Sequence, residues 1–80
     1  MTQIFRAFKK EKIAFAMEVF FLNRNEFKMS MEKFIDALSE REGCLLKLID
    51  FKEPLKNNKS FATLKSDDNE EYTIIYRRLR

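Results

Sequence analysis

The chain has 80 residues, enough for one domain with a small core and too few for two. A hydrophobic content of 45%, with nine Phe, indicates a folded chain rather than a disordered one. With one glycine and no histidine, it has no glycine-rich phosphate loop and no imidazole for acid–base catalysis or zinc binding. The net charge of +3 is modest, whereas a dedicated duplex-DNA binder usually concentrates more positive charge on one face.

The cysteine content and the apolar runs bear on location. Cys44 is the single cysteine, so no internal disulfide can form and a reducing compartment such as the cytoplasm is expected. The longest apolar run, Ile13 to Leu22, is interrupted by Glu18 and is too short to span a bilayer. No signal peptide precedes it. We therefore expect a cytoplasmic protein that does not enter membranes.

The first two predicted elements are strands joined by a tight turn. The apolar residues of 3–8 are followed by four consecutive charges at 9–12, which cover more than one helical turn, so no apolar stripe could cross them. Between Ile13 and Glu18 large and small side chains alternate, as in a half-buried strand. A helix over residues 2–23 is the alternative, because Ala, Met, Glu and Lys favour helices.

The segment from Ser30 to Gly43 predicts an amphipathic helix. Four large apolar side chains fall at i, i+3, i+4 and i+7 and so share one stripe of the helix surface. They are Met31, Phe34, Ile35 and Leu38. Ser30 is the predicted N-cap, and Gly43 stands where a left-handed residue commonly ends a helix. The polar residues 23–29 are predicted to connect strand and helix.

Strands are predicted for most of the chain after the helix. Cys44–Phe51 is an apolar run typical of a strand buried on both faces, and residues 52–60, with the only proline, are typical of a loop. Residues 61–64 favour a short strand or a turn of helix, 66–70 a solvated turn, and 71–79 a strand. The predicted fold class is α+β and β-grasp-like, with an N-terminal hairpin and one central helix packed on a mixed sheet, in a single domain over residues 1–80.

With this order of elements, the sequence resembles ubiquitin and its relatives. The resemblance runs through the opening Met-Thr-Gln-Ile-Phe and the segments Lys12–Val19, Ser30–Gly43, Leu48–Phe51, Leu55–Phe61 and Glu71–Arg80. It implies a β-grasp fold and binding to other proteins. In the family's hydrophobic recognition patch Ile49 and Tyr76 would fill two positions, whereas the third falls in the Lys9-Lys10 pair. The diglycine that ubiquitin uses for conjugation does not occur in the sequence, so conjugation is not implied.

A second resemblance, to PB1 domains, is carried by the acidic segment 67–71 and the Tyr72-Thr73-Ile74 that follows it. It implies an acidic loop that grips a lysine of a partner protein. The motif lacks its usual glycine here. The plain alternative is a solvated turn, because a run of acidic and amide side chains favours one.

The strands and the C-terminal residues supply the predicted contact surface. If residues 13–22 form a strand with its large face inward, Phe20 and Leu22 point outward together, which indicates a binding surface, a dimer seam or a second packing layer. Arg78 and Arg80 can make bidentate contacts with phosphate or an acidic protein surface, and the alternative is a frayed basic end. The predicted partner-binding residues are Ile49, Tyr76, Phe20, Leu22, Arg78 and Arg80.

We therefore predict a small non-catalytic module that binds or inhibits another protein. No histidine, glycine loop or metal-ligand spacing accompanies the carboxylates, so no catalytic residue, metal site or cofactor is predicted. The alternative is a small basic nucleic-acid-binding regulator with a helical N-terminal half, residues 2–23. The identity of the partner and the oligomeric state, a dimer included, stay open.

Overall fold

A computed structural model of the chain describes residues 2–20, 23–52 and 59–78. Its elements, in chain order, are β1 (Thr2–Lys9), β2 (Lys12–Phe20), α1 (Arg24–Glu42), β3 (Leu46–Phe51), β4 (Lys59–Ser66) and β5 (Glu71–Arg78). One helix therefore packs on one five-stranded sheet across the described residues, which confirms the predicted α+β class.

The N-terminal hairpin is confirmed. β1 and β2 are antiparallel, and the turn between them falls in the charged run, where Lys10 has a positive φ of 55°. Pairing is regular from Thr2 with Phe20 up to Ala7 with Phe15; there the register shifts, and Ala14 is the extra residue of a β-bulge. The helical alternative for residues 2–23 is wrong, because Thr2–Lys9 and Lys12–Phe20 are strands. The alternation of large and small side chains predicted this correctly, and the helix propensity of the individual residues did not.

The helix ends where predicted and begins earlier than predicted. Gly43 has φ 72° and donates its backbone N–H to the carbonyl of Ser39 at 2.9 Å, as a left-handed C-terminal residue does. The N-cap is Asn23, not Ser30: its Oδ1 accepts from the backbone N–H of Glu26 at 3.0 Å. Phe27 explains the extra turns, because it lies four residues before Met31 and lengthens the apolar stripe.

The sheet has the strand order β2-β1-β5-β4-β3, and every described pairing is antiparallel. The mixed sheet that we predicted is therefore wrong. Short hairpins join β1 to β2 and β4 to β5, and hairpins give antiparallel pairs. The predicted turn at 66–70 joins β4 to β5, where the Ser66 N–H donates to the Glu70 carbonyl at 2.9 Å and Asn69 has φ 72°. Residues 61–64 belong to a strand, while most of the predicted loop 52–60 lies outside the described residues.

The core lies between α1 and one face of the sheet. Its most buried large side chains are Phe5, Phe34, Leu38, Leu64, Tyr72 and Ile74, each at most 1% exposed. Aromatic rings link the layers: the Phe5 ring centre lies 5.3 Å from that of Phe34 on the helix. β3 was predicted to be buried on both faces, but it is an edge strand in which only Leu46 is fully buried.

Candidate functional site

The helix covers one face of the sheet, and no described element covers the other. The register assigns each strand residue to a face, because paired residues lie on the same side of a sheet. We call the uncovered side the open face. Arg6 pairs with both Ala16 and Ile75, and Ile75 pairs with Phe61, so these four residues share that face. The residues of this face whose side chains the structure describes are Ile4, Arg6 and Phe8 of β1, Ile13, Ala16 and Glu18 of β2, Phe61, Thr63 and Lys65 of β4, and Glu71, Thr73, Ile75 and Arg77 of β5.

The open face has an apolar centre, formed by Ile4, Phe8, Ile13, Phe61 and Ile75. Ile13 is 56% exposed and Phe61 40% exposed, and the other three side chains are half-buried. Cross-strand neighbours on one face have Cβ atoms about 5 Å apart, so Phe8 contacts Ile13 and Ile75 contacts Phe61. The two pairs lie diagonally across β1 and β5, with Arg6 and Thr73 beside them. Large exposed apolar side chains grouped on a sheet surface are a feature of interaction sites.

Charged side chains surround and interrupt this centre. Arg6 stands between Ala16 and Ile75, and Arg77 lies two residues beyond Ile75 on β5. Glu18 and Glu71 lie at opposite corners of the open face, each exposed to solvent. Counting Lys65 and the adjacent β3 residues Lys47 and Asp50, the described side chains on this side comprise four basic and three acidic groups, and the backbone of Lys59 pairs with Arg77. The surface is therefore mixed in sign.

The structure does not bring the predicted contact residues Ile49 and Tyr76 together on one surface. Tyr76 is 4% exposed and lies under the helix, its ring centre 4.8 Å from that of Phe27 and 5.6 Å from that of Phe5. Ile49 is 55% exposed on the edge strand β3, where it is the extra residue of a bulge and lies two strands away from the β5 strand of Tyr76. The folded chain thus offers Ile49, but not the ring of Tyr76, to a partner.

The other four predicted contact residues fall at or beyond the limits of the described chain. Phe20 pairs with Thr2 at the end of β2, and Arg78 pairs with Gln3 at the end of β5; for both, the structure describes the backbone only. Leu22 and Arg80 lie outside the described residues. The contact roles of these four side chains stay predictions.

Sequence reasoning missed Ile75 of the apolar centre because β5 carries a large apolar side chain on each face. Its odd and even positions read Glu-Thr-Ile-Arg and Tyr-Ile-Tyr-Arg, and only the second set packs under the helix. The signal was present in the alternation: Arg77 and Glu71 share a face with Ile75, whereas Tyr72 and Tyr76 share the other. Charged residues mark the solvent side of a strand.

Polar contacts fix the end of the helix against the sheet. The hydroxyl of Tyr72 donates to Oε1 of Glu42 at 2.9 Å, and the Lys9 ammonium stands 5.5 Å from the Tyr72 ring centre. Burial, and then the hydrogen bond to the Glu42 carboxylate, raise the pKa of Tyr72 far above its ordinary value. This pair has a structural role, because it joins the last residue of α1 to β5.

The acidic segment 67–71 is a turn whose carboxylates do not converge. Asp68 accepts a hydrogen bond from the Ser66 hydroxyl, and this bond lowers the pKa of the Asp68 carboxyl. Glu71 belongs to the open face, paired with Lys65 on β4. Within the described parts of the chain, no three His, Cys, Asp or Glu side chains form a group that could hold a metal ion.

In the described chain, no helix is both long and apolar enough to cross a membrane.

Comparison with known proteins assigns no family. No protein-family model, no curated protein and no solved structure matches this sequence or its fold.

Proposed function

We propose that this chain is a small non-catalytic module that binds another protein through the open face of its sheet. The observation that carries the proposal is the apolar centre, in which Phe61 and Ile13 remain 40% and 56% exposed although the chain has a second face available for burial. Apolar area removed from water stabilises an association by about 25 cal/mol per Å² before the costs of ordering are counted. A protein surface can cover such a patch.

The chemistry of the open face defines its partner. A fitting partner presents apolar side chains to Phe61 and Ile75 and carboxylates to Arg6 and Arg77, whose side chains make no ion pair within the described chain. Arginine and large aromatic residues at the centre of an interface contribute most of the binding free energy. Glu18 at the margin would affect the association rate more than the affinity.

A matched pair of variants tests the proposal. Phe61→Asp puts a carboxylate in the apolar centre, whereas Ile49→Asp makes the same change at an exposed residue outside the open face. Proteins captured from cell extract by the wild-type chain would be identified, purified and titrated against all three chains by calorimetry. We expect Phe61→Asp to abolish direct binding and Ile49→Asp to preserve it. Binding that survives Phe61→Asp and is lost in Ile49→Asp would refute the open face and favour the site predicted from the ubiquitin resemblance.

Single-stranded nucleic acid is the competing ligand for the same surface. Phe8 and Phe61 could stack on bases, with Arg6 and Arg77 close to the phosphates. Only two of the five apolar side chains are aromatic and acidic groups share the face, so we favour a protein. Affinity for a labelled oligonucleotide that falls steeply between low and moderate salt, and is lost in Phe61→Asp, would overturn that preference.

We further propose a β-grasp, ubiquitin-like relationship and a cytoplasmic location. The relationship is supported by the chain order of hairpin, helix and three strands, with the helix on one face. The relationship has to be compatible with the antiparallel pairing of β1 with β5. Nuclear Overhauser contacts between the backbones of Phe5 and Tyr76, and between those of Gln3 and Arg78, would test this pairing. The location is supported by the single thiol, Cys44, and fluorescence microscopy of the tagged chain tests it.

A further inference from the structure

The two edges of the sheet are built differently. β3 is six residues long, has its bulge in the middle, and carries exposed Lys47 and Asp50 on either side of it. Short length, bulges and charges are the devices that prevent an edge strand from pairing with another chain. β3 is therefore a protected edge.

β2 lacks these devices over most of its length. It is nine residues long, its bulge lies near its start at Ala14, and the residues Ile13–Met17 carry no charge and no proline. No described residue hydrogen-bonds to its outer side. Beyond the bulge, residues 15–19 pair regularly with β1 and carry one charge, Glu18, so this edge presents a row of backbone N–H and C=O groups that fits an extended strand.

The side chains of β2 also favour an added strand. Phe15, Met17 and Val19 lie on the helix face and are only half-buried, because the sheet stops beside them. A further strand at this edge would place side chains next to all three. Ala16, on the open face, leaves space for a larger neighbour.

We propose that two copies of this chain pair through β2, antiparallel about a two-fold axis at Met17, and so form one continuous ten-stranded sheet. Paired residues of such a sheet share a face, and the bulge at Ala14 interrupts the alternation of faces along β2. The dimer register must therefore pair residues that lie beyond the bulge. An axis at Met17 keeps the whole stretch 15–19 regular. It places Phe15 opposite Val19 of the partner subunit and Ala16 opposite Glu18 of the partner subunit.

Alternative registers are less favourable. An axis at Glu18 would set the two Glu18 carboxylates directly opposite each other, and like charges in that position destabilise a sheet. An axis at Phe15 would pair Ile13 with Met17 of the partner subunit, although the bulge puts these residues on opposite faces. The two-fold through Met17 also keeps both helices on one side and joins the two open faces on the other. The proposal is independent of the function proposed for the open face.

Two substitutions at Ala16 test both the dimer and its register. In the proposed pair, Ala16→Glu faces Glu18 of the partner subunit twice per dimer, whereas Ala16→Lys faces the same carboxylates with opposite charge. Ala16 is exposed, so neither change disturbs the core. Sedimentation equilibrium should show a wild-type dimer, a dissociation constant raised about twofold to thirtyfold in Ala16→Glu, and an equal or lower constant in Ala16→Lys.

A cross-linking experiment locates the axis directly. Residue 17 faces itself in the dimer, with Cα atoms about 4.5–5.5 Å apart, a span that a disulfide bridges. In a Cys44→Ser background, Met17→Cys should form a disulfide-linked dimer under mild oxidation, and Ile49→Cys on the protected edge should form it far more slowly. A wild-type chain that sediments as a monomer at its highest soluble concentration would overturn the proposal. So would equal weakening by the two Ala16 variants, or equally fast cross-linking at both edges.

Discussion

The hydrogen bond between Tyr72 and Glu42 gives the sharpest test of what holds the helix on the sheet. Tyr72 is 1% exposed, and its hydroxyl reaches the carboxylate of the last helical residue at 2.9 Å. A hydrogen bond to a charged group contributes about 1.5–3 kcal/mol, but half-buried Glu42 can bind water once the hydroxyl is gone. We therefore expect Tyr72→Phe to lower the free energy of unfolding by about 1–2 kcal/mol at neutral pH.

The effect of pH on this pair has a definite sign. The pKa of Tyr72 is raised in the folded chain, so folding holds its proton more tightly than the unfolded chain does. Its stabilising contribution is complete below the unfolded pKa of about 10 and declines by up to about 1.4 kcal/mol per pH unit above it. The stability advantage of the wild type over Tyr72→Phe should shrink as the pH rises beyond that point, and then reverse.

Urea unfolding followed by circular dichroism, from neutral pH to above pH 10, measures both effects. Glu42→Ala completes a double-mutant cycle, which is needed because a carboxylate at a helix C-terminus is itself unfavourable. The reasoning fails if Tyr72→Phe is as stable as the wild type at neutral pH. It also fails if the stability difference between the two chains does not change above pH 10.

Three further predictions use the same unfolding measurement. Phe34→Ala should cost about 3–5 kcal/mol, whereas Phe61→Ala should cost under about 1 kcal/mol; similar losses would contradict the assignment of faces. Gly43→Ala should cost about 1–2 kcal/mol for its left-handed backbone alone, since nothing lies within 4 Å of an added Cβ; an unchanged stability would refute the capping role. Asn23→Ala should cost about 1 kcal/mol and Ser30→Ala almost nothing, and the reverse order would restore Ser30 as the N-cap.

The elements that the sequence predicted well depend on local patterns. The hairpin follows from the charges at 9–12 and the alternation after Ile13, and the helix end follows from the single glycine. The helix start was missed because residues 23–29 are polar apart from Phe27 and Met29, so the pattern resembles a connection. Phe27 alone shows that the apolar stripe begins a turn earlier, and its packing against Tyr76 is a contact that no local pattern contains.

The sheet pairing and the candidate site could not be predicted in the same way. Which strands pair, and which face α1 covers, depends on contacts between residues far apart in the chain, such as Phe5 with Phe34 and with Tyr76. Tyr76 and Ile75 are both large and apolar, so these two residues alone do not tell which is core, and only the charges of Glu71 and Arg77 indicate that Ile75 faces solvent. Once the helix occupies the face of Tyr76, the register places Ile75 and its neighbours on the other.

That division of faces separates stability from binding in this protein. A chain of 80 residues with one described helix covers one side of its sheet, so the apolar residues of the second side contribute little to folding. Substitutions at Phe61 should therefore change binding and leave unfolding nearly unaffected, while substitutions at Phe34 should do the opposite. Ile13 lies where the open face meets the β2 edge. A partner bound to that face and a second copy paired at that edge would therefore both lie next to Ile13.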